Sequence, residues 1–294
     1  MDSKENTLQF RSFLLGLPSA GKTTFLAALW HTLDSSEVEG AFTLGAMPEE
    51  AQYLNQIRED WANVEELPRT HLSSTEIIEI ELIRSTTGSR FQFVVPDLSG
   101  EKFEQQWSDR QIEPEFRELI RQSGGGILMI HPAENCREPL FIGEVSGMVD
   151  ALSGDLEDTS ATSVESALND WEPKLAPTQV KLVDLLQIIQ SQSSKKSIRL
   201  SVVVSAWDLL KDNQQSPEEW LQVRMPLLHQ FLQSNSDYFA FKIFGLSALG
   251  GTMDDAEKLR EYSRASQRVF VETDGETNGT ITDLVDWVLP QENE

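Results

Sequence analysis

The stretch GLPSAGKTT, residues 16–24, constrains this chain more than any other. It ends an apolar run, FRSFLLGL (10–17), and opens GKTTFLAALWHTL (21–33), whose apolar residues recur at helical spacing. Gly16, Gly21, Lys22 and Thr23 match G-x-x-x-x-G-K-[ST], the pattern of a loop that curls between a strand and a helix. The residue types follow from what such a loop holds. Glycines let the main chain bend until its N–H groups converge, and the helix N-terminus behind them adds positive potential. That concavity suits a phosphate. Leu17, Ser19, Ala20 and Thr24 complete the wrap, while Pro18 offers no N–H at its place. Lys22 would bridge β- and γ-phosphates, and the Thr23 hydroxyl would ligate Mg2+.

Downstream, strand and helix patterns alternate. FTLGAM (42–47) reads as a short strand, and 47–67 as a helix with Tyr53, Ile57 and Trp61 on one face. EIIEIELIR (76–84) alternates apolar and charged residues, TTGS (86–89) turns, and RFQFVVPD (90–97) returns as the second strand of a hairpin. Helical pieces span 101–122, broken near Pro114, and GGGILMIHP (124–132) is a buried strand. A helix at 178–192, a strand at 197–208, a helix at 217–234, a strand at 239–249 and a helix at 281–290 follow. Such alternation predicts an α/β fold, a mostly parallel sheet covered on both faces, with one antiparallel edge strand at 76–84. The expected organisation is one domain over 1–294, with an acidic insertion at about 133–176 and a second at about 251–280 that matches no motif.

Charge narrows the partners. The chain carries 48 Asp and Glu against 24 Lys and Arg, a net −24, so nucleic acid and anionic lipid are repelled and any phosphate site must be local. No apolar stretch approaches the ~20 residues of a membrane span. MDSKENTLQF lacks a signal-peptide pattern, and one cysteine, Cys136, permits no internal disulfide. A cytoplasmic location is expected.

VVPDLSGE (94–101) puts Asp97 at the carboxyl end of a strand, where its carboxylate would hold Mg2+ through water opposite Thr23. Gly100, three residues on, makes D-x-x-G; in a nucleotide switch that glycine's N–H meets the γ-phosphate. A strand-end aspartate with a turn glycine is the plainer alternative.

Loop, hairpin and D-x-x-G in this order resemble the translation-factor-related class of P-loop GTPases, with the three-layer sandwich of that fold. The resemblance implies several further roles. Glu101 stands where that class positions the attacking water, often with Gln. SAWD (205–208) stands where N/T-K-x-D reads guanine: Asp208 fits the decisive carboxylate, Ser205 replaces Asn and Ala206 replaces Lys. Trp207 is either a replacement stacking wall or a core residue, and Asp208 has a helix N-cap as its plainer reading. Ser247, Ala248 and Leu249 resemble the last motif, whose backbone N–H receives guanine O6. Adenine is the runner-up base.

For the threonine that reaches Mg2+ and the γ-phosphate, the candidates are Thr70, Ser73, Ser74 and Thr75, with Thr70 preferred for its polar loop. Arg69 beside it is either an internal arginine finger or an ordinary loop arginine. PRT, VVPDLSGEKF, W..R and SAWD together are most similar to the bacterial double-GTPase group, associated with conflict and antiphage defence systems. The resemblance thus implies GTP and GDP as ligands, Mg2+ as cofactor, and a second GTPase and an effector as protein partners. A non-hydrolysing nucleotide-sensing scaffold and a P-loop ATPase or kinase are the competing readings.

Overall fold

A computed structural model describes residues 10–35, 37–67, 77–96, 100–132, 176–213 and 215–290. Arg69, Thr70, Ser73, Ser74, Thr75, Asp97 and the acidic stretch 133–175 lie outside the described residues.

The main sheet has six strands in the order β1 (Arg11–Leu15), β5 (Ser123–Ile130), β6 (Ile198–Ser205), β7 (Phe239–Ser247), β8 (Phe270–Thr273) and β9 (Glu276–Gly279). The first four run parallel; β8 and β9 add antiparallel. Parallel strands need helical crossovers, so both faces are covered and the strands are apolar almost throughout. Alternate side chains feed two cores. Leu14, Ile127, Met129 and Val203 face one, with α1 (Lys22–Ser35) and α9 (Ile281–Val288). Phe13, Leu15, Leu128, Ile130, Val202 and Val204 face the other, with α4 (Pro114–Gln122) and α5 (Thr178–Gln192). The result is the three-layer sandwich expected.

A Cβ on Gly125 would come within 2.4 Å of the Val288 carbonyl, and one on Gly126 within 2.0 Å of the Phe13 ring. The glycines therefore let α9 and β1 close on the middle of β5.

The hairpin is where the sequence places it. β3 (Ile77–Arg84) and β4 (Arg90–Pro96) pair antiparallel, and β4 runs beside β1. The far side of β3 is not bare: β2 (Phe42–Leu44) pairs with it, closing a three-stranded sheet. α2 (Ala51–Ala62) packs on α1, burying Leu54, Ile57 and Trp61. Two details depart from expectation. The helix foreseen at 217–234 is two, α6 (Pro217–Arg224) and α7 (Pro226–Ser234), because Pro226 lacks an N–H and its ring clashes with the preceding turn. Residues 251–280 hold 3-10 turns, a short helix α8 (Ala256–Arg260) and the β8–β9 hairpin, which lengthens the main sheet. Among the described residues no helix is long and apolar enough to cross a membrane.

Candidate functional site

The carboxyl ends of parallel strands share one edge, where ligands settle in open α/β sheets. Here β1, β5, β6 and β7 deliver Gly16–Gly21, His131, Ser205–Asp208 and Ser247–Gly250 to that edge.

The loop after β1 is wound tightly. Lys22 Nζ turns back to donate to the Gly16 and Leu17 carbonyls, at 2.8 and 3.2 Å. The Ala20 N–H donates to Leu17 O at 3.2 Å, and Ser19 and Gly21 take positive φ, 61° and 86°. A side chain at Gly21 would be strained by that φ and would meet Ser205 at 3.3 Å, so the loop rests directly on the end of β6. At Gly16 a Cβ would approach Ala20 Cβ to 2.8 Å. Thr23 and Thr24 occupy the first turn of α1, where unsatisfied N–H groups favour an anion.

Three of the base-side residues, Asp208, Ser247 and Gly250, meet in one hydrogen-bonded chain. Ala206 holds a left-handed φ of 46°, a conformation costing on the order of 1 kcal/mol or more off glycine, and so turns the chain out of β6. Asp208 then lies in a 3-10 turn, Trp207–Asn213, with its carboxylate reaching β7. The Ser247 hydroxyl donates to Asp208 Oδ1 at 2.5 Å and accepts from the Gly250 N–H at 3.1 Å. Ser205 Oγ donates to the Ile130 carbonyl at 3.2 Å. Two motifs thirty-nine residues apart thus form one corner.

Trp207 is a core residue: it is 3% exposed, lies against Gly245, and donates Nε1–H to Glu272 at 2.8 Å. His131 stands at the same corner. Burial pushes its pKa below the usual 6.5, against a smaller opposing pull from Asp208.

The backbone of Gly100 and Glu101 begins α3 (Gly100–Asp109). α3 is tied to α5: Trp107 Nε1 donates to Asp184 at 2.6 Å, Arg110 pairs with the same carboxylate, and Lys181 pairs with Glu104. Trp107, Ala176 and Leu185 form a small cluster against which Leu17 of the phosphate loop packs. Sequence reasoning used Trp107 and Arg110 only as part of a resemblance; Lys181 and Asp184 carried no signal, being two charges on an amphipathic helix. It also passed over His131 and Arg268, and read Trp61 only as one apolar position on a helix. Of the expected metal ligands, only Thr23 lies among the described residues, which contain no group of three or more acidic, His or Cys side chains able to hold an ion.

The sequence pattern of the family described as Double-GTPase 1 matches residues 13–288. The chain belongs to that family. No match was found among curated proteins. Similar solved structures include the GTP-bound GTPase-like domain of S. cerevisiae Ski7, at 14% identity and TM-score 0.43 over 83% of this chain and 44% of that one. The SRb-GTP/SRX complex of Chaetomium thermophilum matches at 14% identity and TM-score 0.39, over 86% of this chain and 97% of that one. A bacterial selenocysteine-specific elongation factor, EF-Sec, matches at 13% identity and TM-score 0.38, over 86% of this chain and 27% of that one. This double-GTPase therefore spans less than half of the Ski7 and EF-Sec chains.

Proposed function

We propose that this chain is a guanine-nucleotide switch that binds GTP and GDP with Mg2+, hydrolyses GTP slowly, and passes its nucleotide state to protein partners. One observation supports this above the rest: the Ser247 hydroxyl joins Asp208 to the Gly250 N–H on the same sheet edge that carries the phosphate loop. That places a carboxylate, which accepts N–H groups, beside a backbone turn, which offers them. Guanine presents the complement, with hydrogens on N1 and N2 and an acceptor at O6. Adenine presents an amine where guanine has O6.

In this reading residues 16–24 wrap the phosphates, and Lys22 exchanges its two loop carbonyls for phosphate oxygens. Gly100 contributes an N–H to the γ-phosphate. Thr23, Thr70 and Asp97 supply hydroxyl and carboxylate oxygens, hard donors of the kind Mg2+ takes. When bound, the ion neutralises charge on the β- and γ-phosphates. Glu101 orients the attacking water, Arg69 faces the transferring phosphate, and Ser205, Ala206, Trp207, Asp208, Ser247, Ala248 and Leu249 form the base corner. Trp207 acts from the core, bracing β6 on β7. The whole chain is one GTPase-like domain with insertions at about 133–176 and 251–280. The setting implied by the group it resembles is a bacterial conflict or antiphage system, in the cytoplasm, with a second GTPase and an effector reading the switch.

Calorimetric titration of the purified chain with GTP, GDP and ATP at millimolar Mg2+ tests the base. GTP and GDP should bind well above ATP; equal ATP binding would move the chain to the ATPase or kinase class. Phosphate release from GTP, compared with Glu101→Ala, tests turnover. Slow release that falls in the variant supports the switch, whereas tight binding with none in either protein leaves a non-hydrolysing scaffold.

A further inference from the structure

Trp61, at the end of α2, is 0% exposed, yet its indole N–H is directed at the base corner and not at its own helix. Nε1 donates to the Ala248 carbonyl at 2.9 Å, across 187 positions of sequence. Ala248 lies between Ser247, which holds Asp208, and Gly250, which donates to Ser247. A trans peptide is planar, with its C=O and the following N–H pointing opposite ways. Fixing the Ala248 carbonyl toward Trp61 therefore fixes the Leu249 N–H away from it.

Trp61 is itself clamped by a segment that no motif claims. The Arg268 guanidinium stacks on the indole at 4.8 Å, and its Nη2 donates to the Trp61 and Ala62 carbonyls at 3.1 and 3.3 Å. Arg260 closes the same helix end, donating to Asn63 O at 2.6 Å and Val64 O at 3.3 Å. Arg268 is 3% exposed and its Nη1 is buried with no hydrogen-bond partner among the described residues. Burying a cation with one nitrogen unsatisfied is a costly way to stabilise a helix end. It is an effective way to hold one ring still. Gly250, at φ 92°, lies so close that a Cβ there would meet Arg268 Cβ at 2.7 Å, so loop, ring and guanidinium form one packed unit.

We propose that Trp61, held by Arg268, is a positioning residue for purine selection: by anchoring the Ala248 carbonyl it aims the Leu249 N–H at guanine O6. The inference rests on the guanine reading above and adds what sets the direction of the donor. It also gives residues 251–280 a task.

Trp61→Phe keeps a ring and removes the N–H. The decisive ligand pair is GTP and 6-thio-GTP, which keeps the N1 and N2 hydrogens and puts a weak acceptor, sulfur, at position 6. In the wild type GTP should bind about fivefold tighter than 6-thio-GTP, the worth of one net hydrogen bond. In Trp61→Phe the GTP Kd should rise by about fivefold and the 6-thio-GTP Kd by less than about twofold, so the preference disappears. Arg268→Met, which removes the clamp and leaves the indole, should shift the same ratio in the same direction, and it decides the matter should Trp61→Phe not fold. Equal weakening of both ligands would mean that Trp61 only supports the fold, and an unchanged ratio would likewise overturn the proposal. A wild type that binds ATP as well as GTP is a different failure, that of the guanine reading.

Discussion

The two ends of the candidate nucleotide site are built in opposite ways. At the phosphate end the contacts are local: Lys22 reaches carbonyls five and six residues back, and the turn from Leu17 to Ala20 closes on itself. At the base end the decisive contacts are long-range. Asp208 depends on Ser247, thirty-nine positions away, and Ala248 depends on Trp61, 187 positions away. A phosphate is gripped by main-chain N–H groups whose direction is set by a few consecutive residues, so the motif must be written in one place. A base is read by groups whose direction is set by tertiary packing, so the local sequence is free to vary. On the proposed reading, SAWD in place of N/T-K-x-D is an instance of that freedom.

The largest effect should come from the local end. On the proposed reading Lys22→Ala removes the charge that would pair with phosphate oxygens, and it should weaken GTP, GDP and inosine triphosphate alike, by roughly 100-fold in Kd. Calorimetry across the three nucleotides checks it; a loss confined to GTP would break the division between the ends. Next, Asp208→Asn exchanges an acceptor for a donor. Guanine N2–H then meets an N–H, whereas the C2 carbonyl of xanthine finds a partner. The ratio of GTP to xanthosine triphosphate affinity should fall by about 30-fold or more, each mispaired polar group costing ~1–3 kcal/mol. Competition binding reads the ratio, and an unmoved ratio would remove Asp208 from the base.

A smaller effect lies in the packing behind the base loop. Gly250→Ala must hold a left-handed φ and push against the Arg268 backbone, whose carbonyl oxygen lies 2.8 Å from the added Cβ. It should cost ~1–3 kcal/mol of stability, seen as a lower denaturant midpoint. What sharpens the comparison is where binding is lost: GTP affinity should fall while inorganic triphosphate, which touches only the phosphate end, is held as before.

The same contrast explains what was legible in the sequence. The phosphate loop, the β3–β4 hairpin and the alternating strands were readable because glycine placement, alternation and helical spacing are properties of neighbours. Asp208 and Ser247 were readable one at a time, and their hydrogen bond was not. Trp61 looked like any apolar position on an amphipathic helix; its N–H acquires a meaning only once β7 ends beside it. Arg268 was hidden more deeply, since a buried arginine in a segment without periodicity has no local signature. The break at Pro226 follows from a local rule, a proline with no N–H, yet the apolar pattern runs across it and reads as one helix.

The smallest predicted effect concerns His131, and it too separates the ends. Burial lowers its folded pKa below 6.5, more than the nearby Asp208 raises it, so the folded protein favours the neutral ring. The unfolded chain then binds the proton more readily. Stability from this source is complete above about pH 6.5 and is lost as the pH falls through the lower folded value. Glu37, held below its usual 4.5 chiefly by the Ser266 hydroxyl, acts in the same sense in a more acid window. His131→Gln should therefore lose less stability than the wild type as the pH falls below about 6.5, and the two should run parallel once the pH is below the folded value. Thermal melts at each pH measure the difference. Parallel curves through pH 6.5 would mean that the imidazole at the base end is not kept neutral by burial, and that the corner around Asp208 is wetter than its contacts imply.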